Sequence, residues 1–402
     1  MMAARHSLRT YCLSVRSRQF HVSSASSRRG KPDETHRISE DHVRDLLKSA
    51  TVGDKQKVGD QKWLESPYSG KNVRDQALKS LRPKIDPRET SIILFPGQGV
   101  QYVGMGKSLL KIPEVKEMYK TANEILGYDL LKMCLNGPQS DLDLTVHCQP
   151  AIYVASLAAL QLMIEERQVS IESCVATAGF SLGEYASLVL SNCLTFEEGL
   201  RLVKKRAEAM NSAAEKVQGG LLTVFLDPAA KTGTILNSAL EWCLKTGVEN
   251  PVCSVANYLY PHCRVIGGNI EALQFIEQNC ADLSIRKCKR IPVSGAFHTD
   301  LMKPAAEEFA EVLRQANMRQ PEIAVHSNLD GLIYSNVKDI KKKLVRQIYR
   351  PVKWEQTLHI LYDRGEAVGF PQTFEVGPGR SLLTLLRYAN RPASKDAVNF
   401  FA

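Results

Sequence analysis

The sequence predicts an α/β fold with a parallel sheet, interrupted by a small second subdomain. Two short apolar runs, at 91–95 and 174–178, have the length and composition of strands that are buried on both faces. Helices are predicted at about 114–126 and 150–167, and this alternation of strands and helices is typical of parallel sheets. Between about 215 and 291 the order becomes β-α-β-β-α, which is typical of a ferredoxin-like subdomain.

The remaining elements follow the same reasoning. In the subdomain, strands are predicted at 221–226, 252–257 and 264–268, with helices at about 229–246 and 270–280. After it, the pattern predicts a helix at about 303–317, a strand at 324–327, a helix at about 338–348 and a last strand at 373–376. We therefore expect one domain over 91–390, with a C-terminal tail over 391–402.

The front of the chain carries most of its positive charge. The formal net charge is +9, yet residues 1–32 hold seven basic residues and no acidic one, which leaves about +2 for the rest. This Arg-rich, Ser-rich composition, without the apolar core of a secretory signal, is typical of a mitochondrial transit peptide. Residues 33–90 are polar and predict an N-terminal extension, with a short helix at about 39–49.

The composition also limits the classes of function. Because the excess charge lies in the leader, the near-neutral body gives no indication of a nucleic-acid partner. The ten cysteines form no C-x-x-C pair, so we expect reduced, mostly buried thiols and no zinc site. The sequence has no run of about 18 apolar residues, so no transmembrane helix is expected.

Ser181 is the strongest candidate for a nucleophile. It lies in the run Gly179-Phe180-Ser181-Leu182-Gly183, between a predicted strand and a predicted helix. The two glycines permit the tight turn of a nucleophile elbow, which exposes the serine hydroxyl at the end of the sheet. The amide of Leu182 would then lie at a helix N-terminus, where an oxyanion can bind. Taken alone, the run also fits a serine that caps a helix.

A serine hydroxyl needs a general base, and His298 stands out among the nine histidines. It lies between a strand-like segment and a helix, where the catalytic residues of α/β proteins gather. The glycine-rich loop at 97–102 is a separate candidate for a dinucleotide-binding site. That interpretation fails because Tyr102 occupies the place where G-x-G-x-x-G requires its third glycine.

Six motifs occur in an order that resembles a known family. They are FPGQG at 95–99, GFSLGE at 179–184, KR at 205–206, GAFH at 295–298, RQIY at 346–349 and EVGPG at 375–379. Over about residues 91–390 the chain resembles the malonyl-CoA:acyl carrier protein transacylases, and with the leader it resembles their mitochondrial members. The resemblance implies an α/β-hydrolase-like core with an inserted ferredoxin-like subdomain.

The resemblance implies an acyl transfer through Ser181. This serine would attack a malonyl thioester and hold malonate as an ester, while His298 would take its proton and later activate the carrier protein's thiol. In this family a main-chain carbonyl orients the histidine, and that position corresponds to Gln347. The oxyanion donors would be the main-chain amides of Leu182 and Gln98, the latter in a glycine-flanked loop after the first strand.

Three more residues are assigned to substrate binding by the resemblance. Arg206 corresponds to the family arginine that pairs with the malonyl carboxylate, and an unpaired guanidinium in a closed pocket would penalise acetyl-CoA. Met210 lies one helical turn further on the same face, where it either lines the pocket or fills the core. Phe297 stands where members that prefer malonyl carry a bulky aromatic ring. Gly295 replaces a histidine that is often found in the family.

The resemblance also implies partners, while rival functions stay open. The substrates would be malonyl-CoA and a mitochondrial acyl carrier protein, in matrix fatty acid synthesis, with no metal or redox cofactor and a monomeric enzyme. Basic runs at 286–290 and 341–343 are candidates for carrier-protein docking, although each also fits a solvated charged face. The alternatives are a serine hydrolase or thioesterase of α/β-hydrolase type, a patatin-like Ser-Asp dyad with Asp330, and an inactive carrier-protein-binding homologue.

Overall fold

The computed structural model describes residues 85–364 and 368–401. The predicted transit peptide, the helix expected at about 39–49 and most of the polar extension lie outside the described residues. The predicted start of the domain at residue 91 coincides with the first strand of the parallel sheet.

The secondary structure follows three stretches of chain. The first contains β1 (Ser91–Phe95), α1 (Pro113–Leu126), α2 (Leu130–Asn136), α3 (Gln139–Leu142), α4 (Thr145–Glu166), α5 (Gln168–Glu172), β2 (Cys174–Gly179), α6 (Gly183–Leu190) and α7 (Phe196–Lys216). The small subdomain contains β3 (Gly219–Leu226), α8 (Thr232–Lys245), β4 (Cys253–Tyr260), β5 (Cys263–Asn269), α9 (Ile270–Gln278) and β6 (Ile285–Ile291). The last stretch contains α10 (Lys303–Gln315), β7 (Ala324–His326), α11 (Val337–Gln347), β8 (Val352–Lys353), α12 (Trp354–Tyr362), β9 (Gln372–Val376), α13 (Ser381–Ala389) and β10 (Val398–Phe400).

The large domain is built on the parallel sheet that the sequence predicts. Its strand order is β10-β9-β1-β2-β7, and all four pairings are parallel. Along β1, Ile93 and Phe95 belong to one hydrophobic cluster, whereas Ile92 and Leu94 belong to a second. Successive side chains of a strand point to opposite faces, so both faces of the sheet are covered. This double burial explains why the strand is a continuous apolar run.

The small subdomain has the predicted ferredoxin-like arrangement and its own hydrophobic core. Its strands follow the order β6-β3-β5-β4 and pair antiparallel, with α8 and α9 as the two crossover helices. The sheet gains a fifth strand from the large domain, because β8 pairs parallel with β4. The sequence pattern missed β6 as a strand, since four of its seven residues are basic and resemble a charged loop.

The C-terminal end departs from the sequence-based expectation. The segment expected to be a tail contains β10, which pairs with β9 at the edge of the parallel sheet, so the domain extends beyond residue 390. The helices α12 and α13 were also missed. Within the described residues, α4 alone is long and apolar enough to span a membrane, but 83% of its apolar window is buried in the protein. It is therefore well explained as a core helix.

Candidate active site

The turn that carries Ser181 joins β2 to α6 at the carboxyl end of the parallel sheet. Ser181 has φ +50°, a left-handed conformation that non-glycine residues seldom adopt. The flanking glycines are required by close approach. A Cβ on Gly179 would lie 1.8 Å from the carbonyl carbon of Gly183, and one on Gly183 would lie 2.2 Å from the carbonyl oxygen of Phe95. The turn therefore has the geometry of a nucleophile elbow, with Ser181 as the candidate nucleophile, and differs from a simple helix cap.

Asn328, which the sequence analysis did not single out, braces this strained turn. Its Oδ1 accepts a hydrogen bond from the main-chain N–H of Ser181 at 2.6 Å, and its Nδ2 donates to the carbonyl of Gly179 at 2.7 Å. Asn328 follows β7, the strand beside β2, so its position at the same sheet edge brings it to the elbow. Two buried hydrogen bonds offset part of the cost of the left-handed backbone at the nucleophile.

Ser181 and His298 lie 117 positions apart in the chain, and the fold brings them together. The Ser181 hydroxyl lies 2.9 Å from Nε2 of His298, and Nδ1 of the same ring lies 2.6 Å from the carbonyl oxygen of Gln347. A carbonyl can only accept, so Nδ1 carries the proton and Nε2 is left to accept from the serine. The histidine is therefore held in the tautomer that a general base requires.

Burial keeps the His298 ring neutral. Desolvation and the positive charge of Arg206 lower the pKa of His298, the hydrogen bond to Gln347 opposes them, and the net result is a pKa of about 3. The imidazole is consequently unprotonated at neutral pH and able to accept the serine proton. The main-chain N–H of His298 also donates to the carbonyl of Ile348 at 3.1 Å, which ties the loop that carries His298 to the end of α11.

Arg206 extends from α7 to the nucleophile and is only 1% exposed. Its Nη2 donates to the Ser181 hydroxyl and to Oε1 of Gln347, both at 2.9 Å, and its Nη1 donates to Oε1 of Gln149 at 2.7 Å. In the part of the chain that the structure describes, no carboxylate forms an ion pair with this guanidinium. Burial lowers the pKa of Arg206, although a guanidinium stays protonated in proteins. The site therefore holds a buried positive charge next to the Ser181 hydroxyl.

The other predicted site residues lie around this centre. Met210 is buried, and its Sδ lies 3.6 Å from Nε2 of Gln149. The same amide nitrogen lies 3.4 Å from Oε1 of Gln98, so the loop that carries Gln98 reaches the group of polar side chains around Arg206. Phe297 is buried beside His298. Leu182 occupies the N-cap position of α6, where main-chain N–H groups have no acceptor within the helix.

Three further polar residues lie around Arg206 and Gln347, and the sequence assigned none of them a role. Gln149 binds the guanidinium from α4, and Glu184 and Tyr334 lie behind the Gln347 side chain. Glu184 was visible as the last letter of the GFSLGE motif. Gln149 lies in an apolar helix, directly before Pro150. A polar residue within such an apolar stretch is the sequence signal for a functional side chain at this position.

The comparisons with known proteins agree with this geometry. An acyl transferase domain model matches residues 92–371. Mitochondrial malonyl-CoA-acyl carrier protein transacylases of Homo sapiens and Mus musculus are 50% and 49% identical over 310 and 321 residues, which cover 77% and 80% of this chain and 80% and 84% of those proteins. A malonyl CoA-acyl carrier protein transacylase of Bacillus subtilis is 32% identical over 307 residues, 76% of this chain and 92% of that protein.

The chain belongs to the malonyl-CoA-acyl carrier protein transacylase family. The predicted family is thus confirmed. Solved structures give the same result: the transacylase of Xanthomonas oryzae has a TM-score of 0.68 at 30% identity, covering 78% of this chain and 94% of that one. A malonyl-transacylase in complex with its type II polyketide synthase acyl-carrier protein has the same TM-score and identity, covering 78% of this chain and 96% of that one.

Close packing explains why glycine occupies position 295 in this transacylase homologue. A Cβ at position 295 would lie 2.6 Å from the Cβ of Ala214 on α7, and 3.3 Å from the ring of Phe297. The histidine that is often found at this position in the family would therefore not fit without a shift of α7. The departure from the family pattern reflects close helix packing at 295 and leaves the hydrogen bonds of His298 in place.

The geometry does not favour either hydrolase alternative for this transacylase homologue. Asp330 pairs with Lys343 at 2.9 Å and accepts from the main-chain N–H of Leu332, so its carboxylate is engaged in a turn and not with Ser181. The ring of His298 bonds to a main-chain carbonyl, where a hydrolase triad places an acid. Within residues 85–364 and 368–401, no group of three or more potential ligands could hold a metal ion.

The two candidate docking runs differ in their surroundings. In the run at 341–343, Lys341 donates to the carbonyls of Arg314 and Ala316 at the end of α10, and Lys343 pairs with Asp330 and Asp339. These two lysines therefore stabilise the fold. The basic run on β6 lies on the edge strand of the small sheet, where Arg286 pairs with Asp227 and Arg290 pairs with Glu277.

Proposed function

We propose that this chain transfers a malonyl group from malonyl-CoA to the phosphopantetheine thiol of an acyl carrier protein, through a malonyl ester on Ser181. One observation carries the proposal. The nucleophile lies 2.9 Å from a buried guanidinium that has neutral partners and no ion pair among the described residues. A substrate with a free carboxylate would supply the missing negative charge, and malonyl-CoA has one where acetyl-CoA does not.

In the first half-reaction, the Ser181 hydroxyl attacks the thioester carbonyl while Nε2 of His298 takes its proton. The negative charge that develops on the carbonyl oxygen would be bound by the main-chain N–H groups of Leu182 and Gln98. The tetrahedral species collapses, coenzyme A leaves as a thiol with the proton from His298, and malonate remains as an ester on Ser181.

The second half-reaction runs the same steps with the carrier-protein thiol. His298, neutral again, removes the thiol proton, and the thiolate attacks the ester carbonyl in the same oxyanion site. Collapse returns the proton to Ser181 and releases malonyl-carrier protein. The main-chain carbonyl of Gln347 keeps Nδ1 protonated in both halves, so Nε2 is the atom that accepts and donates each time.

The proposed reaction moves an acyl group between two thiols and changes no oxidation state, so it calls for no metal or redox cofactor. The carrier protein is the macromolecular partner, and we propose the basic edge strand β6 as its docking surface. The relatives' names support a mitochondrial location, as does the Arg-rich leader, and we propose the matrix as the compartment. There the product would feed type II fatty acid synthesis. We also propose that the enzyme works as a monomer.

Incubation of the full chain with radiolabelled malonyl-CoA tests the proposal. The wild type should become labelled, the label should pass to holo-carrier protein, and Ser181→Ala should take up none. The matched control is Ser187→Ala, a buried serine on α6 that donates to nothing in the active site and accepts a hydrogen bond from Thr177. Free malonate as the main product would replace the transferase by a hydrolase. No labelled protein at all would leave only a carrier-binding homologue.

A further inference from the structure

Glu184 is a completely buried carboxyl group that takes no part in the proton transfers described above. It lies on α6, one turn from the nucleophile. Its Oε1 accepts from the main-chain N–H of Asn328 at 2.8 Å and from the hydroxyl of Tyr334 at 2.9 Å, and its Oε2 accepts from Nε2 of Gln347. All three of these partners donate to the carboxyl group. Both oxygens therefore act as acceptors, as they do in the ionised form that prevails above the pKa of about 7.

The Gln347 amide connects this carboxylate to the arginine. Its Nε2 donates to Glu184 and also to the main-chain carbonyl of Ser181 at 2.8 Å, while its Oε1 accepts from Nη2 of Arg206 at 2.9 Å. Only one orientation of the amide satisfies these contacts. If the amide were flipped, its nitrogen would face the guanidinium donor and its oxygen would face two acceptors.

We propose that Glu184 is a positioning residue, which fixes the orientation of the Gln347 amide and thereby holds the guanidinium of Arg206 against the Ser181 hydroxyl. The inference rests on the malonyl transfer proposed above. It adds a specificity determinant whose side chain contacts neither the substrate nor the Ser181 hydroxyl. The chain Glu184–Gln347–Arg206 links a buried negative group to a buried positive group through an amide, so that the guanidinium binds neutral acceptors and has no ion pair among the described residues.

An isosteric exchange at this position isolates the role. In Glu184→Gln, the new amide must keep its oxygen on the donors of Asn328 and Tyr334, so its nitrogen faces Nε2 of Gln347. Two donors then oppose each other, and the Gln347 amide can relieve the conflict only by turning its nitrogen towards Arg206. Either outcome removes the fixed acceptor that holds the guanidinium.

The test measures kcat/KM of acyl-enzyme formation with malonyl-CoA and with acetyl-CoA, in full-chain wild type, Glu184→Gln, Gln347→Met and the double variant. Gln347→Met removes the amide but keeps the main-chain carbonyl that orients His298. We expect each single variant to lower the malonyl-to-acetyl ratio on the order of tenfold to a hundredfold, as a displaced binding group would. The double variant should be no lower than the singles, because both remove the same connection.

Tyr334→Phe is the matched control. It removes a buried hydrogen bond from the same carboxylate, on the oxygen that faces away from Gln347, so it should lower the melting temperature and keep the malonyl-to-acetyl ratio. An unchanged ratio in Glu184→Gln, or additive losses in the double variant, would overturn the positioning role.

The same set of variants distinguishes failure of the positioning role from misfolding of a variant and from failure of the proposed function. If Glu184→Gln does not fold, an unchanged ratio in Gln347→Met alone overturns the inference. If the wild type forms no malonyl ester, the proposed function has failed, and the positioning role falls with it. A wild type that forms the ester with no effect of either exchange rejects the positioning role alone.

Discussion

Two buried clusters in this molecule contain the same three residue types, an arginine, a glutamate and a histidine. In the first, Arg264 pairs directly with Glu355 at 2.9 Å, and His359 lies 3.8 Å from the same carboxylate. In the second, Arg206 and Glu184 make no direct contact, and the side chain of Gln347 lies between them. Both arginines are nearly inaccessible to solvent, with 3% exposure for the first and 1% for the second.

The difference fits a structural ion pair in the first cluster and the proposed binding site in the second. The first cluster joins β5 of the small subdomain to α12 of the large domain, and its charges neutralise each other. In the second cluster the bridging amide keeps the carboxylate away from the guanidinium, which instead points at the nucleophile. A buried arginine without a direct carboxylate partner is ready to receive one from a ligand. Substitutions in the two clusters should therefore have different consequences.

The largest expected effect separates the two histidines. His298→Ala should lower the rate of acyl-enzyme formation by about 10²–10⁴-fold, because the general base is lost. His359→Ala, in the ion-pair cluster, should retain the wild-type rate per folded molecule. Rapid-quench measurement of Ser181 acylation gives both rates. Normal acylation in His298→Ala would remove this histidine as the base, and an equal loss in both variants would mean that the clusters do not differ.

The second effect concerns stability and not catalysis. Arg264→Ala leaves Glu355 buried without its charge partner, and we expect the free energy of unfolding to fall by about 3–5 kcal/mol. The preference for malonyl-CoA over acetyl-CoA should stay unchanged in the folded fraction. Urea unfolding, followed by circular dichroism, measures the first quantity. A loss of malonyl preference without a loss of stability would reverse the assignment of the two clusters.

The third effect is a pH dependence of stability that arises from Glu184. Burial raises the pKa of Glu184 to about 7, and hydrogen bonds from Asn328, Tyr334 and Gln347 and the charge of Arg206 limit the rise. The folded state therefore binds the proton more tightly than the unfolded chain. The stabilisation that this proton gives the folded state is fully present below pH 4.5, the pKa of Glu184 in the unfolded chain. It is lost as the pH rises through 7, the pKa in the folded state.

The pH dependence that arises from Glu184 is measured as the difference in unfolding free energy between the wild type and Glu184→Gln. Between pH 5 and pH 7.5 we expect the wild type to lose about 1–3 kcal/mol more unfolding free energy than Glu184→Gln does. The difference matters because burial also raises the pKa of Glu375 to about 7, and that group remains in both proteins. Parallel pH profiles of the two proteins would contradict the titration of Glu184 in this range.

The sequence predicted the outline of the fold because its strongest signals are local. Strands that are buried on both faces, such as β1, are continuous apolar runs, and the elbow requires glycines at fixed positions. Both patterns can therefore be recognised in the amino-acid sequence. The order of motifs identified the family. The strand β10 was missed because three residues at a sheet edge carry no periodicity, and β6 was missed because its exposed edge permits four basic residues.

The site could be predicted in part for the same reason. Ser181, His298 and Arg206 could be predicted because each lies in a recognisable motif, and the structure brings His298 and Arg206 within hydrogen-bond distance of the Ser181 hydroxyl. The bridge through Gln347 could not be predicted, because it depends on which amide atom faces which neighbour. Asn328 is similar: it approaches the elbow only because β7 pairs with β2.

Substrate selection by the buried guanidinium is tested most directly by comparing malonyl-CoA with acetyl-CoA in Arg206→Ala and Arg264→Ala. We expect the ratio of their kcat/KM values to fall on the order of tenfold to a hundredfold in Arg206→Ala, because charge-assisted hydrogen bonds to the malonyl carboxylate are lost. In Arg264→Ala the ratio should equal that of the wild type. A wild-type ratio in Arg206→Ala would contradict the claim that this guanidinium selects the substrate.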